Sequence, residues 1–126
     1  MAVRGIGIDL VRVERIRGSI ERFGARFEAR VFTEPELEYC RRHKDPLPHL
    51  AARWAAKEAA FKAIGTGLSN GVGWKDAEVI QPGGRQPRLE WHGAAAEVFR
   101  ALGATRSHLT LAHDAGVAVA CVVIED

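Results

Sequence analysis

The sequence predicts an α+β fold in which helices pack on one face of a largely antiparallel sheet. The apolar pattern gives the order strand, three helices, two strands, helix and two strands. Within that order, Arg53–Gly67 is a long alanine-rich run of good helix formers. The last strand is almost wholly apolar, which predicts a central place in the sheet. The length of 126 residues fits one domain, which we expect to span residues 1–126.

Composition and charge exclude several classes of protein. The net charge is only +2, and the opening residues contain no apolar segment of a signal peptide. The longest uncharged apolar run, Ala115–Ile124, is too short to span a bilayer. Cys40 and Cys121 lie far apart in no metal-binding spacing, which is typical of buried thiols. We therefore expect a cytoplasmic protein without a membrane segment.

The first strand is predicted over Val3–Val11, and its two faces differ. One face carries the apolar residues Ile6, Ile8 and Leu10, and the other carries Gly5, Gly7 and Asp9. Glycine within a strand often marks the close approach of a ligand or of another backbone. A solvated edge strand with an incidental aspartate would give the same pattern.

The segment Arg12–Arg30 has helical character, interrupted near Gly18 and Gly24. Its arginines outnumber its glutamates, which is typical either of a solvated helix face or of a docking surface for an acidic partner. Because the net charge of the chain is small, we expect no nucleic-acid partner. If the helix continues through both glycines, one side of it is lined by Arg15, Arg22 and Arg26.

Two more helices are predicted before the second strand. Thr33 has the properties of an N-cap, with Glu36 at the capping-box spacing, and this helix runs to about His43. After a break that contains prolines, the central helix begins near Leu47–Ala51 and ends at Gly65, a C-cap. One side of the central helix is apolar, and its alanines keep the other sides slim enough for a strand or a ligand to approach.

The glycine-rich stretch Gly65–Gly73 follows the central helix. A phosphate-binding loop precedes a helix, whose N-terminal amides face the anion, whereas the C-terminal end is the negative end of the helix dipole. We therefore predict no phosphate loop here. These glycines could still bring the backbone close to a ligand that the helix holds.

The rest of the chain is predicted to form two pairs of strands around a helix. The strands are Ala77–Gln81 and Arg88–Trp91, joined by the turn Pro82–Pro87; the helix is Ala94–Leu102; the last strands are Ser107–His113 and Gly116–Ile124. The residues between the last two strands include an Asp and a Gly, which is typical of a short hairpin turn.

Four polar residues are candidates for a site: Asp9, Glu58, Lys62 and His113. Two carboxylates with no cysteine or histidine ligand pattern suit a hard cation such as Mg²⁺, and Lys62 could then hold a phosphate group as a point charge. Each residue also has a simpler interpretation. Glu58 and Lys62, four apart, would form an exposed helical salt bridge, and His113 would be a surface residue of the hairpin. From the residues alone, Mg²⁺-dependent phosphoryl chemistry is one hypothesis.

Four motifs in order are similar to those of holo-acyl-carrier-protein synthases, the short bacterial class of phosphopantetheinyl transferases. The motifs are GIGIDLVRVERI, FTEPEL, RWAAKEAAFKAIGTG and LTLAHDAGVAVACVVIE, and together they cover nearly the whole chain. One departure is visible. The family usually has a Gly-(Lys or Arg)-Pro turn, whereas here Gln86 separates Arg85 from Pro87, so contacts of this turn are not carried over.

The resemblance implies a phosphopantetheinyl-transferase-like fold and a reaction. Coenzyme A would donate its phosphopantetheine arm to a serine hydroxyl of apo acyl carrier protein and release adenosine 3′,5′-bisphosphate. Asp9 and Glu58 would hold Mg²⁺, or Mn²⁺ in its place. The residues implied to bind coenzyme A are Arg53, Lys62, Gly65, Thr66 and His113. Glu58, a metal-bound water or Asp114 could take the serine proton, and the sequence leaves this choice open.

The resemblance also implies a homotrimer with shared active sites, in which Asp9 and Glu58 lie on one subunit and a coenzyme-contacting turn lies on its neighbour. Acyl carrier proteins are acidic, so Arg15, Arg22 and Arg26 become the predicted docking residues. Two other classes stay open. A metal-dependent nuclease or phosphodiesterase would use the same carboxylates with water as the nucleophile. A binding module for coenzyme A or a carrier protein would have no catalysis.

Overall fold

The computed structural model describes residues 1–126. Its elements are β1 (Val3–Arg12), α1 (Val13–Phe23), α2 (Ala25–Val31), α3 (Glu34–Arg41), α4 (Leu47–Ile64), β2 (Ala77–Ile80), β3 (Arg88–Trp91), α5 (Gly93–Ala101), β4 (Arg106–Asp114) and β5 (Val117–Glu125). Single 3₁₀ turns lie at Trp74–Asp76 and Pro82–Gly84. None of the helices combines the length and the apolar character that crossing a bilayer requires.

The strands form two antiparallel sheets, one of three strands in the order β1-β5-β4 and one of two strands, β2-β3. β5 lies at the centre of the larger sheet, as its apolar sequence predicts. Its Ala120 pairs with Asp9 of β1 on one side and with Leu111 of β4 on the other. The predicted α+β class with antiparallel strands is confirmed. The separation of β2 and β3 into a sheet of their own is not evident from the sequence.

Helix α4 packs across one face of the three-stranded sheet and forms the centre of the core. Thirteen of its 18 residues are buried. The prediction of one apolar side was therefore too narrow, since the helix is covered on nearly every side. Its small alanines, including the fully buried Ala55, Ala59 and Ala60, allow neighbouring elements to approach closely.

The two glycines of β1 allow that strand to lie directly against α4. A Cβ atom added at Gly7 would fall 1.9 Å from the carbonyl oxygen of Ala59, and one added at Gly5 would fall 2.0 Å from that of Ala63. The glycines therefore mark the approach of another backbone. The isoleucine face is the outer one, with Ile8 60% exposed.

Replacing Gly7 by alanine is expected to lower the free energy of unfolding by about 1–3 kcal/mol or more, because the added methyl group overpacks a backbone contact. Gly18→Ala is the matched control. Its added Cβ meets nothing within 4 Å, and alanine in a helix interior is about 0.5–1 kcal/mol more favourable than glycine. Denaturant unfolding of both variants measures the two changes. Equal stability of the two variants would contradict the close packing of β1 on α4.

The first helical segment divides at Gly24. α1 passes through Gly18 without interruption, but it ends at Phe23, and α2 begins at Ala25. Gly24 has a φ of 60°, which glycine adopts readily, and its N–H caps α1 by donating to the carbonyl oxygen of Ile20. The condition that one helix continues through both Gly18 and Gly24 is therefore not met. Arg26 lies on the second of two helices, so the prediction that it shares one helix side with Arg15 and Arg22 is wrong.

A buried ion pair ties α4 to α3 and β2. Lys57 and Glu36 are both 0% exposed, and the Lys57 Nζ lies 2.8 Å from Glu36 Oε1. The ammonium also donates to the carbonyl oxygens of Trp74 and Ala77. The Glu36 carboxylate accepts the N–H groups of Thr33 and Val79, so it completes the predicted capping box of α3 and reaches β2 as well. Because both charges are fully partnered, the pair fixes the position of α4 next to Glu58.

Candidate active site

Asp9 and Lys62 meet where β1 crosses α4. The Lys62 Nζ donates to the carbonyl oxygen of Ile8 at 2.9 Å and to Asp9 Oδ1 at 3.2 Å. The simpler expectation of a Glu58–Lys62 salt bridge along the helix is wrong, because the lysine pairs with Asp9 instead. The bare backbone of β1 explains this outcome, since it brings the strand within reach of the lysine.

Glu58 is partly buried and lies beside Asp9, so two carboxylates share this part of the molecule. Burial raises the pKa of Glu58, and the nearby Asp9 raises it further, whereas Lys62 and Arg15 lower it. Asp9 Oδ2 is buried and has no hydrogen-bond partner. An orphaned carboxylate oxygen next to a second carboxylate is a fit for a hard divalent cation such as Mg²⁺. Asp9 and Glu58 are therefore the residues that could hold the ion.

Glu58→Gln is expected to raise the melting temperature of the metal-free protein at pH 7. Because the folded-state pKa of Glu58 is raised, the folded chain binds this proton more tightly than the unfolded chain does. The stability that the proton supplies is present at low pH and is lost as the pH rises through the raised pKa. Glutamine does not ionise, so the variant does not lose this stability. The difference in melting temperature between the variant and wild type should therefore shrink towards pH 4. Glu97→Gln on the exposed face of α5 is the control. Equal melting temperatures of wild type and Glu58→Gln at pH 7 would contradict the raised pKa of Glu58.

Arg53 and His113 lie at a different place, around a cavity of about 200 Å³. Arg53 is 2% exposed. Its Nη2 donates to Gln81 Oε1 at 2.9 Å, and its guanidinium carbon lies 4.1 Å from the centroid of the Tyr39 ring. Its buried Nε has no partner. The cavity therefore presents a fixed positive charge next to the exposed His113 of β4.

The turn that carries the extra residue Gln86 still reaches this cavity. Pro87 lines the cavity with Arg53 and His113, while Gln86 is exposed. The departure from the family pattern is therefore accommodated on the solvent side of the turn.

The two groups of candidate residues lie towards opposite edges of the three-stranded sheet. Lys62 contacts β1 at one edge, and His113 belongs to β4 at the other, with β5 between them. A single chain thus brings Asp9, Glu58 and Lys62 together and brings Arg53 and His113 together, but it does not join the two sets. Asp114 ends β4 next to His113 and is exposed.

Gly65 and Thr66 follow directly after the Lys62 turn of α4. Gly65 is the predicted C-cap, and its N–H donates to the carbonyl oxygen of Lys62. The Thr66 hydroxyl donates to the carbonyl oxygen of Gly67. Both residues therefore lie on the Asp9 side of the molecule, with Glu58 and Lys62.

The predicted docking arginines occupy distinct positions. The Arg15 guanidinium carbon lies 4.8 Å from the centroid of the Trp54 ring, and its charge lowers the pKa of Glu58. Arg22 lies over the neighbouring Phe23 ring, which is 53% exposed. Arg26 lies beyond the Gly24 break. Arg15 thus stands beside the carboxylate site.

Sequence reasoning missed the residues that hold Arg53, namely Tyr39 and Gln81, and it missed His49 beside them. No spacing in the sequence relates these residues, because they come from α3, the end of β2 and the start of α4. It also missed the group Glu78, Glu90 and His92, whose ligand atoms lie within 4.8 Å of one another. Those side chains are already paired with Thr33, Arg88 and each other.

Comparison with known proteins gives consistent matches over the whole chain. A family model described as the 4′-phosphopantetheinyl transferase superfamily matches residues 5–121. The holo-[acyl-carrier-protein] synthase of Koribacter versatilis is 50% identical over 125 residues, covering 98% of this chain and 99% of the relative. That of Carboxydothermus hydrogenoformans is 50% identical over 121 residues, covering 95% and 97%.

Solved structures match as well. The holo-[acyl-carrier-protein] synthase from Neisseria meningitidis superposes with a TM-score of 0.89 at 30% identity, covering 99% of this chain and 100% of the other. The Helicobacter pylori enzyme, solved in complex with coenzyme A, gives a TM-score of 0.83 at 28% identity, covering 95% and 99%.

Proposed function

The chain belongs to the 4′-phosphopantetheinyl transferase superfamily, and we propose that it is a holo-acyl-carrier-protein synthase formed by one domain over residues 1–126. It transfers the phosphopantetheine arm of coenzyme A to a serine hydroxyl of apo acyl carrier protein. The proposal is supported above all by the set Asp9, Glu58 and Lys62. Asp9 pairs with Lys62 through Oδ1, keeps a buried Oδ2 without a hydrogen-bond partner, and lies near enough to Glu58 to raise its pKa. Relatives of the same length are named for this activity.

The chemistry that we propose needs charge neutralisation and positioning more than covalent help from the protein. The serine oxygen bonds to the phosphorus that carries the pantetheine arm, and the pyrophosphate bond breaks, so that adenosine 3′,5′-bisphosphate leaves. Mg²⁺ or Mn²⁺ held by Asp9 and Glu58 would neutralise pyrophosphate charge. The Lys62 ammonium binds a phosphate oxygen, and the backbone of Gly65 and Thr66 lies beside the same phosphate group. The serine proton goes to a carboxylate, for which Glu58 and Asp114 are the candidates.

We also propose that a second copy of the chain covers the outer face of the three-stranded sheet. Ile6, Ile8 and Leu10 are each at least 60% exposed there, next to Val119 and Cys121 of β5. Exposed apolar surface of this kind marks a protein interface. A homotrimer would bring the Asp9 set of one subunit to the Arg53 and His113 set of its neighbour, which a single chain cannot do. Light scattering should give the mass of three chains of 13.8 kDa, and a monomer would reject the trimer.

The acidic carrier protein is proposed to dock on α1. Reversing Arg15 and Arg22 to glutamate is expected to raise the KM for carrier protein by about tenfold or more, because surface charges mainly set association. Of the two arginines only Arg15 acts on the pKa of Glu58, so Arg22→Glu alone should leave the KM for coenzyme A nearly unchanged. The wild-type reaction should slow as salt rises, since the Debye length falls from about 10 Å at 0.1 M to about 3 Å at 1 M. The control is Arg100 of α5, reversed in the same way. Unaltered carrier-protein kinetics at low salt would show that these arginines are merely solvated.

The function is tested by separating transfer from its alternatives. The chain is incubated with coenzyme A, Mg²⁺ and either apo carrier protein or a carrier in which the acceptor serine is alanine. We expect adenosine 3′,5′-bisphosphate only with the intact carrier. Release of this nucleotide without an acceptor serine would indicate a phosphodiesterase, and binding without any release would indicate a binding module. A cytoplasmic location stays a prediction.

A further inference from the structure

Three histidine side chains from three parts of the chain contact one another beside Arg53. His43 follows α3, His49 lies in the first turn of α4, and His113 lies near the end of β4. The rings of His43 and His49 stack with their centroids 3.6 Å apart. The edge of one ring meets the face of the other between His49 and His113, at 5.3 Å and 75°. The three rings thus form a continuous column that ends at the cavity.

The far end of this column is anchored. The His43 Nδ1 lies 3.2 Å from the carbonyl oxygen of Tyr39, which can only accept, so Nδ1 carries the proton. The Tyr39 ring also contacts both His43 and His49 and supports the Arg53 guanidinium on its face. The same tyrosine therefore holds the base of the column and the arginine of the cavity.

His49 is an uncharged member of the column at neutral pH. Burial, together with charge repulsion from His43, His113 and Arg53, lowers the pKa of His49 to about 4, against a small opposing effect of Asp45. A neutral ring can pack against His113 without competing with Arg53 for an anion. His113 is the exposed end of the column.

We infer that His49, backed by His43, is a positioning residue for His113: the stacked rings hold the His113 imidazole at the cavity mouth, where it and Arg53 face the same anionic ligand. This inference rests on the proposed function, in which that ligand is a phosphate group of coenzyme A. His49 acts through His113 and need not touch the ligand.

A double-mutant cycle with four chains tests the inference: wild type, His49→Ala, His113→Ala and the double variant, each assayed for the KM for coenzyme A and for kcat. We expect His49→Ala to raise the KM for coenzyme A about tenfold, a size typical of coupled neighbours, with kcat within about twofold. In the His113→Ala background, the same change should add nothing, because the residue through which His49 acts is gone. His49→Phe keeps an uncharged ring of similar shape and should restore the KM to within about twofold of wild type.

His92→Ala is the control, since His92 pairs with Glu78 outside the cavity, and it should behave as wild type. A wild-type KM for His49→Ala, or an equal effect of that change with and without His113, would overturn the inference. Failure of His49→Phe to restore the KM would also overturn it, because the imidazole itself would then be needed. If His49→Ala does not fold, His49→Leu, which fills the space without an aromatic ring, takes its place in the cycle with the same expected results. If wild type neither binds coenzyme A nor transfers its arm, the proposed function fails first, and this inference fails with it.

Discussion

Replacing Asp9 or Glu58 by alanine is expected to reduce transfer by at least about a thousandfold while the chain stays folded. In the proposed mechanism each carboxylate supplies a share of a hard-cation site, and loss of either would leave the pyrophosphate charge poorly neutralised. A metal ion in such a site stabilises transition-state charge by several kcal/mol, and every 1.36 kcal/mol is a factor of ten in rate. The measurement is the initial rate of carrier modification across a series of Mg²⁺ concentrations.

Glu97→Ala, which removes an exposed carboxylate from α5, is the matched control and should keep the wild-type rate. Chelation should inactivate the wild-type chain reversibly, with recovery on adding Mg²⁺ or Mn²⁺. Wild-type turnover by both variants at saturating Mg²⁺ would show that Asp9 and Glu58 do not hold the ion.

Lys57→Met is expected to lower the free energy of unfolding by about 3–5 kcal/mol, because it leaves the buried Glu36 carboxylate without its counter-charge. The loss is large for a domain of this size, whose total stability is of the order of 5–15 kcal/mol. Arg42→Met is the control, since Arg42 forms an exposed pair with Glu38, and such pairs contribute about 0–1 kcal/mol. Urea unfolding of both variants measures the difference.

A second variant separates lost charge from lost packing. Combining Lys57→Met with Glu36→Gln removes both charges, so the double variant should be more stable than Lys57→Met alone. A loss below 1 kcal/mol for Lys57→Met, or a double variant less stable than the single one, would contradict the description of a fully partnered ion pair.

The local chemistry of the sequence predicted most elements but not how they face one another. Alternation identified β1 and distinguished its glycine face from its isoleucine face. It could not show that the glycine face is the inner one, because only the alanines of α4, which lie more than 50 residues later, make that packing possible. Because of the same long-range contact, Lys62 pairs with Asp9 and not with Glu58, the partner expected from the sequence.

The candidate site was predicted in part for a similar reason. Carboxylates and a lysine in motifs of known spacing identify Asp9, Glu58 and Lys62, which the fold brings together. The separation of His113 from them depends on the strand order β1-β5-β4, which no local pattern encodes. The burial of Lys57 was not predicted. Nothing in the sequence around Lys57 indicates that its side chain points to the core, while that of the adjacent Glu58 does not.

The mass of the intact carrier protein shows directly whether the chain transfers the phosphopantetheine arm. Apo acyl carrier protein is incubated with the chain, coenzyme A and Mg²⁺, and its mass is then measured without digestion. Transfer predicts that the carrier gains the mass of one phosphopantetheine arm, only when all components are present and only with an intact acceptor serine. An unchanged carrier mass under conditions in which the chain is folded and binds coenzyme A would contradict the proposed function.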